Sequence, residues 1–413
     1  MATGDKPRVV LGVSGGIAAY KSCDVLRSLT ETGHHVDVVP TESALRFVGS
    51  ATFEALSGNP VTDGVFSDVP SVRHVRLGQQ ADLVLVVPAT ADLMARMAHG
   101  NADDLLTATL LTAHCPVAIA PAMHTEMWEH AATRANVATL RERGVTVIGP
   151  AIGRLTGKDT GPGRLAEPNE IADLARLLIE RPNALPADLD GLNVVVTAGG
   201  TRESLDPVRF LTNRSSGKQG YAIARVAAAR GANVTMIAAN VDFPEPAGAQ
   251  VVRVSSADQL AEAVRREMGA ADVIVMAAAV SDFRPAAYSE AKIKKSELEP
   301  DAIELTKNPD ILVGLVTSRA QGDIPADCTI VGFAAETGDK QHSVEEYGRA
   351  KMARKGADMM VVNSVGDGGA FESDHNSGWI LDAVGADEPI EHGSKYALAA
   401  QLWDHIGTRR SAR

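Results

Sequence analysis

The stretch RVVLGVSGGIAAYKSCDVLRSLTETGHHVDVV, residues 8–39, decides the fold class. Arg8–Val13 is a short apolar run rich in β-branched residues, which predicts a buried strand. Ile17–Thr32 repeats apolar residues along one helical face and predicts a helix that ends at Gly33. His35–Val39 predicts the second strand. A strand, a helix and a strand at this spacing indicate a parallel sheet of the α/β class.

The alternation of strand and helix continues on both sides of one break. The segment RPNALPADLD, Arg181–Asp190, holds two prolines and is typical of a linker. The other predicted strands are Leu83–Val87, Val117–Ala120, Val145–Ile148, Val194–Thr197, Val234–Ala239, Val273–Ala278, Thr329–Phe333 and Met359–Val362. A further helix is predicted over Gly220–Arg230. We therefore predict two tandem three-layer doubly wound α/β domains, at residues 1–180 and 191–413, with a linker at 181–190.

Composition excludes several classes of protein. The 413 residues carry a formal net charge of −12, which argues against a general nucleic-acid binder. The longest apolar runs, such as Val273–Val280, are too short to span a membrane. Cys23, Cys115 and Cys328 are too few and too scattered for a disulfide framework or a zinc site. We expect reduced thiols and a cytoplasmic location.

A glycine-rich loop, Gly12–Gly16, joins the first strand to the first helix. Glycines let the backbone approach a phosphate, and the helix that follows offers free N–H groups. The spacing is not that of the dinucleotide fingerprint G-x-G-x-x-G, and the hydroxyl-rich Pro40–Ser43 follows the second strand where a ribose-binding acid is expected. Both features favour FMN over NAD, although a tight turn without a ligand is the alternative.

Four motifs in the first half share one family resemblance: GVSGGIAAYK at 12–21, the single His74, PATAD at 88–92 and PAMHTEMW at 121–128. Together they resemble the homo-oligomeric flavin-containing cysteine decarboxylases, which have a flavodoxin-like fold. The resemblance implies an FMN site at Ser14, Gly15, Thr41, Ala89 and Thr90. It also implies that His74 is catalytic, and the ordinary pKa of histidine suits proton exchange at neutral pH. The implied reaction oxidises the substrate thiol, releases CO2 and returns the hydride, giving 4′-phosphopantetheine.

The first half departs from this family at two positions. Its pattern PAMNxxM has asparagine at the substrate carboxylate, where this chain has His124, which we expect to keep the role through its own N–H. The family also has a cysteine on a flap before GPGR, where this chain has Gly157. The nearest groups that can hold a proton are Thr156, Lys158 and Asp159. One alternative is therefore that the flavin domain is only a scaffolding or regulatory module.

The second half contains another predicted phosphate cradle. TAGGTRE at 197–203 follows a strand, and NRSSGKQG at 213–220 opens a helix without the Walker A spacing. The segments AAAVSDFRP at 277–285, AKIKK at 291–295, KNPD at 307–310 and GFAAET at 332–337 follow. Lys351 and Lys355 share one helix face. Such lysines are usually solvated, but they could also neutralise a triphosphate.

This combination resembles the phosphopantothenate–cysteine ligases of the CTP-using bacterial type, over roughly residues 192–376. The resemblance implies that the carboxylate of 4′-phosphopantothenate attacks the α-phosphate of CTP, and that L-cysteine then displaces CMP. It places the chemistry at Asn213 and Lys292. The implied CTP-binding residues are Ala278, Ala279, Val280, Asp282, Lys292, Lys307, Asn308, Pro309, Asp310, Phe333, Lys351 and Lys355. Mg²⁺ is expected with the nucleotide, and Asp282 is a candidate ligand.

The order of the two halves suggests a function for the whole chain. The product of the second site is the substrate of the first, so we predict a bifunctional enzyme of coenzyme A biosynthesis with FMN, Mg²⁺ and CTP. An NAD-dependent oxidoreductase is disfavoured because its loops and acidic residue are missing. Relatives of the first half form trimers and relatives of the second form dimers. Combining them predicts a homo-oligomer, with a dodecamer as the symmetric solution.

Overall fold

The computed structural model describes residues 6–61, 72–155, 159–294, 302–339, 341–364 and 375–412. Their contacts divide the chain into two compact units. The first extends to Asp190 and includes Ala228–Gly231 and Pro244–Ala249, and the second comprises the remainder. In the described part of the chain, no helix is both long and apolar enough to cross a lipid bilayer.

The helices follow the predicted alternation. They are α1 (Ser22–Glu31), α2 (Ser50–Ser57), α3 (Arg73–Gln80), α4 (Ala91–His99), α5 (Leu105–Thr112), α6 (Thr125–Glu129), α7 (Ala131–Glu142), α8 (Pro168–Glu180), α9 (Lys218–Ala229), α10 (Ala257–Glu267), α11 (Ile311–Gln321), α12 (Val344–Lys355) and α13 (Lys395–Ser411). Short 3₁₀ turns cover Ile17–Lys21, Ala44–Arg46 and Met268–Ala270.

The strands form two main sheets and three short ribbons. They are β1 (Arg8–Val13), β2 (His35–Pro40), β3 (Leu83–Ala89), β4 (Val117–Pro121), β5 (Thr146–Val147), β6 (Ala151–Arg154), β7 (Thr160–Arg164), β8 (Asn193–Gly199), β9 (Arg202–Ser204), β10 (Phe210–Thr212), β11 (Asn233–Ala239), β12 (Ala249–Val254), β13 (Val273–Met276), β14 (Phe283–Pro285), β15 (Leu305–Lys307), β16 (Thr329–Glu336), β17 (Met359–Ser364), β18 (His375–Asp382) and β19 (Glu388–Ser394).

The first unit has a parallel sheet in the order β2-β1-β3-β4-β5. This is the flavodoxin-like order, and the predicted fold class is confirmed. All seven residues of β3 are buried, as a central parallel strand covered on both faces requires. The direction of the strand order changes beside β1. Ligands of such sheets bind at that point, outside the carboxyl ends of the strands.

The second unit has the strand order β12-β11-β8-β13-β16-β17-β18-β19. Its first six strands follow the Rossmann-like order, with β11, β8, β13, β16 and β17 parallel. Strands β18 and β19 extend the sheet in antiparallel fashion. Separate antiparallel ribbons pair β9 with β10, and β14 with β15. In the first unit β6 pairs with β7 in the hairpin that contains the predicted flap.

Two local features refine the sequence predictions. The helix predicted over Ile17–Thr32 begins as a 3₁₀ turn and becomes α-helical only at Ser22, whose hydroxyl donates to the carbonyl of Ala19 at 2.6 Å. The capping box predicted at Ser256 and Gln259 is confirmed at the start of α10. At the start of α1 and of α10, a serine side chain therefore forms a hydrogen bond with a nearby backbone group.

Candidate functional sites

Three loops meet at the carboxyl edge of the first sheet, after β1, β2 and β3. The buried Ser14 joins two of them, because its hydroxyl donates to the Pro88 carbonyl at 2.8 Å and accepts from the Thr90 amide at 2.9 Å. The buried Thr41 joins the third loop, since its amide donates to the Val13 carbonyl at 2.9 Å. The predicted residues Ser14, Thr41 and Thr90 are thus brought together. The Ser14 hydroxyl also has a structural task that the sequence did not suggest.

Gly15 lies where no side chain fits. A Cβ atom at Gly15 would stand 2.4 Å from Ser43 Cβ and 2.8 Å from the Ser43 carbonyl carbon. At the neighbouring Gly16 the nearest atom would be Thr90 Cγ2 at 3.8 Å, an ordinary contact. The loop is therefore packed closely at one glycine and open at the next. An open backbone beside packed loops suits a bound phosphate.

The remaining predicted FMN residues lie at the end of β3. Ala89 is fully buried, and its carbonyl accepts from the Ala122 amide at 3.2 Å. Thr90 is the N-cap of α4, and its hydroxyl accepts from the Leu93 amide at 3.3 Å. The start of α4 therefore faces the same edge as the glycine loop. The N-terminus of α4, the 3₁₀ turn that follows the glycine loop and the buried hydroxyls together form a site. Its chemistry is that required by a phosphorylated flavin.

His74 lies in the first turn of α3 and is half-buried. Its backbone carbonyl accepts from the Thr112 hydroxyl at 2.9 Å. Within the described ranges, no hydrogen bond fixes the imidazole ring. The structure therefore anchors the backbone of His74, and its catalytic role stays a prediction.

His124 lies beneath the β6–β7 hairpin. It is exposed and is the N-cap of α6. The preceding Met123 amide donates to the Gly163 carbonyl at 2.9 Å, and a Cβ at Gly161 would meet Thr125 Oγ1 at 2.4 Å. The hairpin therefore packs directly on the segment that contains His124. The position of the missing flap cysteine, Gly157, lies outside the described residues, as do Thr156 and Lys158.

The three cysteines lie outside the β6–β7 hairpin, where the family carries its flap cysteine. Burial raises the pKa of Cys23 and of Cys115 above the ordinary value. Burial also raises the pKa of Cys328 to about 12. A raised pKa keeps these thiols protonated at neutral pH, which is typical of structural cysteines.

In the second unit, a cavity of about 170 Å³ opens beside the start of α9. Its walls are the loop 214–220, the segment 277–279 and the segment 333–335. The predicted residues Ala278, Ala279 and Phe333 therefore meet the predicted phosphate cradle. Asn213 is exposed and directly precedes the lining residues, although it does not line the cavity itself.

The segment Ala278–Ser281 is fastened to the loop after β8. The Thr197 hydroxyl accepts from the Ala278 amide at 3.1 Å, and the Thr201 hydroxyl accepts from the Ser281 amide at 3.0 Å. Ala279 also exchanges backbone hydrogen bonds with this loop. These contacts fix the part of the chain predicted to line the base and ribose, including the half-buried Val280.

Asn308 connects two parts of the predicted nucleotide site. Its Nδ2 donates to the Ser281 carbonyl at 2.8 Å, and its Oδ1 accepts from Arg284 at 2.8 Å. Its amide also donates to the Asp282 carbonyl at 2.8 Å. Asn308 is thereby tied to the protein through both side-chain polar atoms. The structure indicates that it positions its exposed neighbours Lys307 and Pro309.

The predicted lysines of α12 are held by acidic side chains. Lys351 pairs with Glu336 at 3.1 Å, and Lys355 pairs with Asp310. The second Asp310 oxygen caps α11 by accepting from the Val313 amide at 3.2 Å. A nucleotide would have to share or displace these carboxylates. The sequence does not predict that Glu336 and Asp310 pair with these lysines, because each acidic residue lies far from its lysine along the chain.

The exposed Lys292 is adjacent to an anchored residue. The Ile293 amide donates to Asp206 at 3.2 Å, and its carbonyl accepts from Arg209 at 2.8 Å. Hydrogen bonding from Arg209 and from backbone amides holds the pKa of Asp206 well below its usual range. The charged pair therefore fixes the backbone that presents Lys292. In the described part of the chain, no cluster of three or more metal-ligating side chains occurs.

Comparisons with known proteins cover both units. The Flavoprotein family model matches residues 2–179. The DFP model, described as the DNA/pantothenate metabolism flavoprotein C-terminal domain, matches residues 189–409. A relative from Mycolicibacterium smegmatis, described as coenzyme A biosynthesis bifunctional protein CoaBC, is 62% identical over 402 residues, which are 97% of each chain. A relative with the same description from Vibrio vulnificus is 40% identical over 405 residues, again 97% of each chain.

Solved structures are similar to each unit separately. The C-terminal domain of a coenzyme A biosynthesis bifunctional protein is 32% identical, with a TM-score of 0.45, over 55% of this chain and 100% of that chain. The FMN-binding protein AtHal3 is also 32% identical, with a TM-score of 0.39, over 43% of this chain and 98% of that chain.

Proposed function

The chain belongs to the family of bifunctional coenzyme A biosynthesis proteins, and from this premise we propose how its two sites carry out two consecutive reactions. It is a phosphopantothenoylcysteine decarboxylase and a phosphopantothenate–cysteine ligase. The ligase reaction belongs to the second unit and the decarboxylation to the first. Because the product of one site is the substrate of the other, the second unit acts first.

For the ligase we propose CTP as the activating nucleotide. The carboxylate of 4′-phosphopantothenate attacks the α-phosphate, and pyrophosphate leaves. The amine of L-cysteine then forms a C–N bond to the acyl carbon while the C–O bond to CMP breaks, and the nitrogen loses one proton to solvent and keeps one N–H in the amide product. The observation that supports this assignment is the cavity at the start of α9, where the cradle meets Ala278, Ala279 and Phe333. A helix N-terminus beside exposed lysines suits a triphosphate.

The residues proposed for the ligase chemistry have distinct tasks. Lys292, on the segment anchored by Asp206, would stabilise charge on the α-phosphate. Asn213, next to the cradle, would orient the acyl-cytidylate. Mg²⁺ would be held by Asp282 together with substrate phosphates. That fits the absence of a larger acidic cluster among the described residues, because Mg²⁺ commonly binds through one or two carboxylates and phosphate oxygens.

For the decarboxylase we propose FMN at the three loops of the first sheet. The close packing at Gly15 and the hydroxyls of Thr41 and Thr90, on loops that Ser14 holds together, fit the phosphorylated tail of a flavin. Bound FMN would supply reversible acceptance of a hydride. His74 would exchange a proton with the substrate, and His124 would donate a hydrogen bond to the substrate carboxylate. The proton that the family takes from its flap cysteine must come from another group.

We also propose a homo-oligomer, with the dodecamer as the arrangement that satisfies both a trimeric and a dimeric contact. The enzyme would work in the cytoplasm, because phosphorylated substrates do not cross a bilayer unaided. A monomeric or dimeric mass in solution would contradict the dodecamer.

One incubation tests both activities. The purified protein is mixed with 4′-phosphopantothenate, L-cysteine, Mg²⁺ and CTP, with ATP in a parallel tube, and the products are followed by mass spectrometry. Accumulation of 4′-phosphopantetheine with CTP preferred supports the whole proposal. Accumulation of phosphopantothenoylcysteine alone would mean that only the ligase works and that the flavin unit is a scaffolding or regulatory module.

A further inference from the structure

One wall of the cavity at the start of α9 contains polar residues to which the proposed function gives no role. They are Gln219, Asn363, Asn376 and Lys395, from four different elements of the second unit. Asn376 is 4% exposed and Lys395 is 7% exposed. Buried polar groups are normally paired, so the hydrogen bonding of the two asparagines requires an explanation.

A chain of hydrogen bonds fixes the orientation of the Asn376 amide. The Lys395 carbonyl can only accept, so Gln219 must turn its Nε2 toward it, and the distance is 3.1 Å. Gln219 therefore presents Oε1 to Asn376, whose Nδ2 donates to it at 2.9 Å. This leaves Asn376 Oδ1 without a hydrogen-bond partner among the described residues.

Asn363 also has a side-chain carbonyl oxygen without a hydrogen-bond donor among the described residues. This atom, Oδ1, is buried. Asn363 pairs in register with Gly378, two residues after Asn376 on β18, and both asparagines line the same cavity. Two carbonyl oxygens without donors in one cavity indicate a ligand that carries more than one N–H.

The size and charge of the cavity restrict that ligand further. A volume of about 170 Å³ is below the range of about 300–1,000 Å³ for pockets that enclose drug-sized molecules, so the cavity can enclose only part of a nucleotide or a smaller ligand beside it. The buried Lys395 lines the same cavity as the two acceptors. Acceptors for an amine next to a cation for a carboxylate complement a small α-amino acid.

We propose that this wall is the amino-acid subsite of the ligase, with Asn376 and Asn363 holding the amine of cysteine and Lys395 its carboxylate. The proposal rests on the ligase function above. It explains the proximity to Ala278 and Phe333, because the amine must reach the acyl carbon of the activated intermediate. The carbonyl oxygens would accept N–H bonds and leave the nitrogen lone pair directed away from them, toward the acyl group.

The Asn376→Ala variant tests the amine contact by separating the two half-reactions. Exchange of labelled pyrophosphate into CTP, dependent on 4′-phosphopantothenate, reports activation without cysteine. We expect the exchange rate to be preserved, and the KM for cysteine to rise about tenfold or more. Equal loss of exchange and ligation in a folded variant, or an unchanged KM for cysteine, would overturn the subsite. If the CTP assignment itself is wrong, the unaltered protein shows no exchange.

The Lys395→Met variant tests the carboxylate contact by substrate preference. Cysteamine has the amine and thiol of cysteine but no carboxylate, and its ligation yields 4′-phosphopantetheine directly. We expect the ratio of kcat/KM for cysteine over cysteamine to fall about tenfold or more in this variant, while pyrophosphate exchange continues. A preserved ratio would refute the role of Lys395. Unfolding midpoints of both variants establish that the assays report folded protein.

Discussion

A methyl group added at Gly15 tests the proposed flavin site through geometry alone. The new Cβ would stand 2.4 Å from Ser43 Cβ, whereas carbon atoms in contact prefer about 3.5–4.0 Å. The glycine loop or the Ser43 loop must therefore shift by about 1 Å, and overpacking of this kind costs about 1–3 kcal/mol. If that cost falls on the bound state, FMN affinity decreases about 5- to 150-fold.

Gly16 provides a matched control one residue away. Its backbone is extended, with φ −172°, and an added Cβ would approach Thr90 Cγ2 no closer than 3.8 Å. FMN titration of the apoprotein, followed by flavin fluorescence, should show weak binding by Gly15→Ala and nearly unchanged binding by Gly16→Ala. Equal affinities for the two variants, or a loss confined to Gly16→Ala, would refute the reasoning. An unfolding scan of each variant separates local displacement from global destabilisation.

Four further predictions concern individual residues. His74→Asn should lower the decarboxylation rate about 10²- to 10⁴-fold while ligation continues, and unchanged decarboxylation would favour the scaffolding alternative. Gly220→Ala would place a Cβ 2.6 Å from Ala198 Cβ and should destabilise the second unit by about 1–3 kcal/mol in denaturant unfolding. Gly314→Ala, which meets nothing within 4 Å on α11, should instead stabilise it by about 0.5–1 kcal/mol, so destabilisation there would be contrary evidence. Because the folded pKa of Asp206 is lowered, its stabilising effect is present above about pH 4 and is lost as the pH falls through the folded pKa. Asp206→Asn should reduce ligation, because the backbone beside Lys292 loses its anchor. It should also make the free energy of unfolding fall less steeply as the pH is lowered below about 4. The same pH dependence in the variant as in the unaltered protein would refute this.

The main sheets were predictable because their strands are continuous apolar runs. Every residue of Leu83–Ala89 and of Val273–Met276 is buried, and both strands were found within a few residues. The strands β18 and β19 were missed because each mixes exposed and buried residues in a polar sequence. The short ribbons β9–β10 and β14–β15 were missed for a similar reason. Their pairing depends on a partner strand rather than on a local pattern.

The site residues were predictable where they lie together on one loop. The glycine loops and the segment 277–280 occupy the carboxyl ends of parallel strands, as the α/β topology requires. Contacts between distant residues were not predictable from local patterns. Lys355 with Asp310, and Asn376 with Gln219, are joined only when the chain folds. The counterions of α12 and the proposed amino-acid subsite therefore required the structure.

The Ser14 hydroxyl has a consequence for the entropy of cofactor binding. By joining the loop after β1 to the loop after β3, it restricts both backbones independently of direct contact with a flavin. Fixing one backbone residue costs about 1–2 kcal/mol of conformational entropy, and folding has already supplied that ordering at these loops. Binding then requires little further loss of freedom, which favours affinity through preorganisation. Serine at this position thus contributes to affinity by keeping the unbound loop in its binding geometry.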